Sequence, residues 1–380
     1  MIVIADDITG AAEIAGIAFE QGQQVRLVCA SPVCCDMVSS ETTTVIATDT
    51  RSMSEDEAAR ETRRILLSTR VWRSLFESVA LQCNHPLSLE GEGGRLLFKK
   101  TDSALRGHVV AELSALMKGT GYRRAVYLPA NPSKGRIIRQ GVYYVNDVPI
   151  HKTPFSYDPE FPARTSVLSE RFPDADEHHI IMPDAVSMED IRQVVDCYND
   201  GETLFAGAAD LFSSLVSVSP SPLTSHLSLQ RHTFKERTLV LCGSTQSKPL
   251  DLGIPVAPMP REVYDGSSDL TLWDTSAYNE QHSLILTIPY THRTGKAVAV
   301  HLRTVMAAMT RRLVDIHCPA QLIIEGGATA WATLQGLGWT TFEVVSQLGP
   351  GVVQMKSVTN GTLVTLKPGS YPWAGCLSRL

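Results

Sequence analysis

Short apolar runs alternate with helical patterns from the first residue. Residues 1–4 are all apolar and read as a buried strand, and 10–21 places Ala11, Ile14, Ala15 and Ala18 on one helical face. Residues 25–29 and 43–47 give two more strands, and 54–80 contains a long helix opened by Ser54 with acidic residues in its first turn. A strand at 96–99, a helix at 109–117 and a strand at 125–128 extend the series. Such alternation predicts a mainly parallel sheet flanked by helices.

The pattern breaks at 136–156, where 140–150 reads as a β-hairpin turning at Asn146-Asp147, an excursion suited to a flap or an interface. Helix and strand signals resume at 189–217. The stretch around Ser219-Pro220-Ser221-Pro222 has few apolar residues to bury and reads as a linker. A second series follows: strands at 238–242, 283–288 and 321–324, helices at 298–317 and 328–337, and a tail at 344–366 whose strands are separated by Gly349-Pro350-Gly351 and Asn360-Gly361. A chain of 380 residues exceeds one ordinary core. The expectation is two αβ domains, 1–217 and 238–380, joined by a linker at 218–237.

Composition narrows the function classes. With 43% hydrophobic and 19% charged residues the chain is globular in character, and no apolar run approaches the roughly 18 residues of a membrane span. The eight cysteines form no C-x-x-C pair and read as reduced thiols, and residues 1–4 read as a strand rather than an export signal, so a cytoplasmic location is expected. A net charge of −6 without any Lys/Arg block argues against nucleic acid but leaves room for a small anionic ligand held by a few local donors.

Three groups of residues could carry chemistry. The first is Ala5-Asp6-Asp7-Ile8-Thr9-Gly10, a strand ending at two carboxylates just before a helix, where open α/β sheets bind ligands and where free N–H groups meet anions. One of Asp7 and Thr9 would serve as helix cap, and two adjacent acids exceed that need. Adjacent aspartates also diverge on an extended strand, which excludes the two-apart spacing of haloacid-dehalogenase phosphatases. The second group is Lys99-Lys100-Thr101-Asp102-Ser103-Ala104-Leu105-Arg106-Gly107, again between a strand and a helix, with Asp49-Thr50-Arg51 as a weaker companion. Arginine clamps carboxylates bidentately, and Asp102 and Ser103 suit sugar hydroxyls. The third comprises glycine-containing turns of the second half: Gly243-Ser244-Thr245, Gly326-Gly327-Ala328-Thr329, Gly349-Pro350-Gly351 and Lys367-Pro368-Gly369. Glycine lets backbone N–H groups approach an oxyanion, so the strand, Gly-Gly and helix at 322–330 form a candidate phosphate cradle. Walker A, G-x-G-x-x-G and Gly-x-Ser-x-Gly patterns are absent, and the scattered histidines show no metal-ligand spacing.

Taken in order, these blocks resemble the four-carbon acid sugar kinase family. Ala5-Asp6-Asp7-Ile8-Thr9-Gly10-Ala11 looks like its opening signature and Lys100-Thr101-Asp102-Ser103-Ala104-Leu105-Arg106-Gly107 like its second. Supporting blocks are Pro129-Ala130-Asn131-Pro132 with Gly135-Arg136 and the hairpin, Ala206-Gly207-Ala208-Ala209-Asp210-Leu211, Gly243-Ser244, Gly326-Gly327, Pro350-Gly351-Val352 and Leu366-Lys367-x-Gly369. The resemblance implies an N-terminal domain for threonate, erythronate or an oxo-tetronate and a C-terminal domain for ATP with Mg²⁺, phosphate crossing the cleft between them to the terminal hydroxyl. By the same resemblance Asp7, with Asp6 as second choice, would be the catalytic carboxylate. Asp49, Arg51, Lys100, Asp102, Ser103 and Arg106 would bind substrate, with Arg106 and Arg51 on its carboxylate. Ser244, Gly326, Gly327, Ala328, Thr329, Gly351 and Gly369 would bind nucleotide, and no protein metal site is expected. The chain departs from the family at Ala328-Thr329-Ala330 and at Lys367-Pro368-Gly369-Ser370-Tyr371-Pro372, both on the nucleotide side. A binder without ATP chemistry and a kinase for a longer aldonic acid therefore stay open, as does a homodimer.

Overall fold

A computed structural model describes residues 1–29, 42–68, 97–158, 161–217, 237–243 and 252–369. β1 (Ile2–Ala5) is apolar throughout and buried on both faces, which gives it a central place in a parallel sheet. After it come β2 (Val25–Val28), β3 (Thr43–Ala47), β4 (Leu97–Lys100) and β5 (Arg124–Leu128). An excursion of β6 (Arg136–Arg139), β7 (Val142–Val145) and β8 (Val148–Pro149) precedes β9 (Ile180–Ile181) and β10 (Thr203–Gly207). Apart from the excursion these strands lie in the order β2-β3-β1-β4-β10-β5-β9, all parallel. The longer helices are α1 (Ile8–Glu20), α2 (Glu55–Ser68), α3 (Val109–Thr120), α4 (Met188–Tyr198) and α5 (Ala209–Ser217); α1 packs beside α5, and α2 beside α3. The part of the expected 54–80 helix beyond Ser68, and the expected linker except for Arg237, lie outside the described residues.

The second half begins with β11 (Thr238–Cys242), β12 (Val256–Pro258) and β13 (Leu284–Thr287). Helix α6 (Lys296–His317), β14 (Gln321–Glu325) and α7 (Gly327–Leu337) follow, and β15 (Thr341–Gly349), β16 (Val352–Ser357) and β17 (Leu363–Lys367) form the foreseen tail as an antiparallel meander. Strands β12-β13-β11-β14-β17 are parallel. The two halves do not keep separate sheets. β15 pairs antiparallel with β2, so 14 strands among the described residues form one sheet. Its first residues pair with β2 and most of its length with β16, with irregularities at Val344/Ser346 and Gln347/Gly349 that bend the strand between its two partners. This pairing covers the edge of β2 that would otherwise stand open.

The excursion is a three-stranded antiparallel meander rather than a single hairpin. Asn146 and Asp147, at φ 50° and 60°, make the expected tight turn, and Gln140 and Gly141, at 53° and 71°, make an earlier one. Positive φ at both central residues suits a two-residue turn between twisted strands.

Helix α1 joins the halves. Its buried residues are mostly Gly and Ala, which lets it lie close against β15 and β16 as well as β2 and β3. A Cβ at Gly16 would run into Gln347 Oε1 and stand 2.8 Å from Val353 Cγ2. Gly16→Leu is therefore expected to cost about 1–3 kcal/mol by overpacking this contact, read as a lower midpoint in urea unfolding. Gly336, in α7 with open space around it, should behave oppositely: Gly336→Ala is expected to stabilise by about 0.4–1 kcal/mol.

Candidate active site

Register assembles the first half of the site. Ala5 of β1 lies level with Ala47 of β3 on one side and Lys100 of β4 on the other, so the loops after these three strands emerge side by side at their carboxyl ends. The sequence-separated groups Asp6-Asp7, Asp49-Thr50-Arg51 and Lys100 to Arg106 thus become neighbours. Arg51 ties them together. Its Nε and Nη2 each donate to Asp6 at 3.0 Å, and Nη2 also stands 3.1 Å from Asp7 Oδ1 and 3.8 Å from Asp102 Oδ1. The Arg51 loop is anchored from below. Thr50 donates to Glu112 Oε1 at 2.7 Å, and Glu112 is buried against Lys99 at 2.6 Å.

Asp7 serves both readings of its position. It is the N-cap of α1, accepting from Gly10 N at 2.9 Å and from the Thr9 hydroxyl at 2.5 Å, and it also faces the cavity. Burial alone would raise its pKa, but Arg51, Thr9, Lys100 and Gly10 together hold it below the ordinary carboxylate value. Asp6 lies deeper, and burial pushes it up to about 6 against the pull of Arg51. Asp102 is opposed by burial but depressed by Arg106, which grips it through Nε at 2.7 Å and Nη2 at 3.0 Å. Arg106 reaches Asp158 at 3.4 Å with its remaining nitrogen, and its own pKa is raised, Asp102 being the largest cause.

Asp7, Arg51, Asp102 and Arg106 line a cavity of about 570 Å³ that also includes Ser103 and Lys100, whereas Asp6 is buried behind Arg51 and is not among the lining residues. Lys100 Nζ donates to Thr101 O at 2.9 Å and stands 3.5 Å from Glu13 Oε2. Asp49 is not among the lining residues; its carboxylate accepts the Ser52 hydroxyl at 2.5 Å. Glu13, Arg136, Phe155, Tyr157 and Asp158 line the cavity without having been singled out as site residues from sequence. Four of these five belong to the excursion or the turns after it, and only Arg136, in a supporting block, carried any signal. Tyr157, 87% exposed, stands at the mouth.

The second half contributes by the same logic. Cys242, Glu325 and Lys367 are level on β11, β14 and β17, so the turns at Gly243, Gly326 and Pro368 emerge together. Gly326 has φ 100°, its N–H donates to Lys367 O at 2.9 Å, and no side chain caps α7, whose first turn holds Gly327, Ala328 and the buried Thr329. Glu325 and Lys367 form a buried ion pair behind this turn. Gly351, at φ 71° in the β15–β16 turn, is brought to the same end because Val353 pairs with Leu366. Pro368 lines the cavity itself, Gly369 follows it, and Ser244 lies outside the described residues.

The halves touch where chemistry would need them to. A Cβ at Gly327 would stand 2.9 Å from Thr9 Cγ2 and 3.5 Å from Asp7 Oδ2, so the open N-terminus of α7 sits directly against the Asp7 carboxylate. Uncapped N–H groups there suit an anion, and Asp7 beside them suits a hydroxyl proton. Among the described residues no group of three or more His, Cys, Asp or Glu is placed to hold a metal.

Comparison with known proteins gives this geometry a family. A model of a sugar-binding N-terminal domain matches residues 1–174, and a model of a nucleotide-binding C-terminal domain matches 266–371. A D-threonate kinase of Salmonella typhimurium is 29% identical over 170 residues, covering 45% of this chain and 35% of the relative. A D-erythronate kinase of Heliobacterium modesticaldum is 24% identical over 60% of this chain and 52% of its own length. A 3-oxo-tetronate kinase of Methylobacterium radiotolerans is 26% identical over 43% and 35%. The chain thus spans about a third to a half of the length of these curated relatives. Among solved structures, a Salmonella typhimurium protein described as a tRNA synthase aligns over 100% of this chain and 98% of its own, with a TM-score of 0.74 at 19% identity, which speaks to fold alone. A sugar-binding model in front, a nucleotide-binding model behind and relatives acting on one class of acid place the chain in the four-carbon acid sugar kinase family.

Proposed function

We propose that this chain transfers phosphate from ATP to the terminal hydroxyl of a four-carbon sugar acid such as threonate, erythronate or an oxo-tetronate. The observation that carries this reading is the close approach of Gly327 to Thr9 and Asp7, which leaves no room for a side chain there and sets a phosphate-compatible helix start beside a carboxylate of the cavity. Phosphoryl transfer needs positioning and charge neutralisation more than covalent chemistry from the protein. Asp7 orients the attacking hydroxyl and takes its proton. Its depressed pKa keeps it ionised, and Arg51 and Thr9 fix its direction. Asp102 and Ser103 would orient the other hydroxyls, and Lys100 would offset developing negative charge.

The residues present fit the nucleotide. Gly326 and Gly327 bring no side chain to the helix start, and the N–H groups of Gly327, Ala328 and Thr329 begin α7 without a cap. Gly351 and Gly369 would lie along the same edge, with Ser244 as a further candidate. Mg²⁺ bound with ATP would supply charge neutralisation, taking its oxygens mainly from the phosphates. The same reading divides the chain at 217 and 238, between the two strand blocks. A cytosolic location belongs to the same proposal, and the free thiols Cys29, Cys197, Cys242 and Cys318 support it.

A coupled ADP-release screen over four- and five-carbon sugar acids should show turnover confined to the four-carbon set; a flat response across the panel would refute the kinase reading. Asp7→Asn keeps a cap for Gly10 and is expected to lower turnover about a hundred- to ten-thousandfold with the melting midpoint little changed. Asp6, pushed up to about 6, completes its pair with Arg51 only above that pH. The kcat/KM of the native protein should therefore fall below about pH 6, and Asp6→Asn should flatten that limb; a limb unchanged in the variant would assign it to another group. The stability signs differ between the two acids. The raised pKa of Asp6 gives stability present at acid pH and lost as pH rises through about 6. The lowered pKa of Asp102 gives stability present above the ordinary carboxylate range and lost as pH falls below it. Arg51→Gln would strand the buried Asp6 carboxylate without its ion-pair partner at a cost of about 3–5 kcal/mol in urea unfolding, part of which adding Asp6→Asn should return.

A further inference from the structure

Among the described residues three guanidinium groups line the cavity, and two of them already face protein carboxylates. Arg51 is shared by Asp6, Asp7 and Asp102, and Arg106 by Asp102 and Asp158. An incoming carboxylate on either would crowd against those acids. Lys100 is turned to Thr101 O and Glu13. Arg136 differs: among the described residues it faces no carboxylate. One nitrogen, Nη1, donates to the Ser103 hydroxyl oxygen, and the guanidinium carbon lies 5.5 Å from the centre of the Phe155 ring.

We infer that Arg136, together with the Ser103 hydroxyl, takes the carboxylate of the acceptor acid and so makes the cavity selective for acids over neutral polyols. This rests on the kinase reading of the same cavity. The chemistry fits in three respects. A guanidinium has a planar fork of donors, and Nη1 on Ser103 leaves Nε and Nη2 for a carboxylate. Because Ser103 Oγ accepts from Arg136, its own hydrogen is free to be donated to the bound acid or an adjacent hydroxyl. The Phe155 face restrains the guanidinium by a cation–π contact without consuming a donor.

The backbone of Arg136 is fixed in advance. Gly135 precedes it in a left-handed conformation at φ 65°, and Asn131 exchanges backbone hydrogen bonds with Arg136 at 2.7 and 3.1 Å. Asn131 is itself buried and accepts Asp210 N at 3.0 Å. Arg136 thus enters the cavity from the meander, whereas Asp7 and Gly327 belong to the junction of the two halves. An acid held by its carboxylate at the first would extend its far hydroxyl toward the second.

The test is calorimetric titration of the full chain, without ATP, with D-threonate and D-erythronate and with the uncharged tetritols threitol and erythritol. The native protein is expected to bind an acid and to discriminate against its tetritol. Arg136→Gln should weaken acid binding roughly ten- to a hundredfold and erase that discrimination. In turnover it should raise the KM for the acid far more than it lowers kcat, with the KM for ATP unchanged. Arg136→Lys, which keeps the charge but loses the fork, should bind the acid several-fold more weakly, and this variant decides the matter if Arg136→Gln does not fold. Arg139→Gln, on the same strand and exposed, should leave every value unchanged. Native-like acid affinity in Arg136→Gln, or in Arg136→Lys when the first variant is unfolded, would overturn the assignment. A native chain that binds no acid would sink the kinase reading first and this inference with it.

Discussion

One guanidinium organises the site. Arg51 sits where three strand ends open and offers its positive charge to Asp6, Asp7 and Asp102, carboxylates from two other loops. Buried carboxylates so close together would repel and neutralise without a shared cation. With it they can be held ionised in fixed positions, and each then constrains something else. Asp7 starts α1, Asp102 orients Arg106, and Asp6 links the loop to the centre of the sheet. The Lys99–Glu112–Thr50 network beneath carries this restraint to α3.

Because α1 begins at Asp7 and runs across to the second half, the same constraint reaches the nucleotide side. Its small residues allow the close contact with β15 and β16, and its first turn meets Gly327. The position of the Asp7 carboxylate and the docking of the two halves are therefore mechanically coupled. Larger side chains at Gly16 or Gly327 would disturb both. The β2–β15 pairing adds main-chain hydrogen bonds to this junction and favours a defined spacing between acid cavity and helix start.

The division of labour inside the cavity follows from charge compensation. Cations that neutralise the protein's own acids shape the site, while the one that faces no protein acid among the described residues is suited to recognise a foreign one. Arginine beside hydroxyl and acidic residues suggests a clamp, which is why Arg51 and Arg106 are expected on the substrate; the structure adds that both line the cavity while already facing protein carboxylates, which chemical type alone does not show. Asp49 illustrates the same limit, since an aspartate at a strand end can face its own loop as Asp49 does through Ser52.

Much was legible in the chain itself. Apolar runs, glycine turns and helix periodicity specify strands and helices locally, so β1, α1, the 320s Gly-Gly turn and the strands of the tail could be placed from residues alone, while their antiparallel pairing came from the structure. The acidic pair after β1 and the block from Lys100 to Arg106 announced a site for the same reason: such residues have no structural need to follow a buried strand together. What only the tertiary structure decided is partnership. Strand order set Arg51 between Asp6 and Asp102, the edge of β2 took β15 and merged two expected sheets into one, and the meander with the turns after it delivered Arg136, Phe155 and Asp158 to the cavity. Pairing across a sheet and charge sharing within a cavity depend on which distant segments are neighbours, and local pattern carries no term for that.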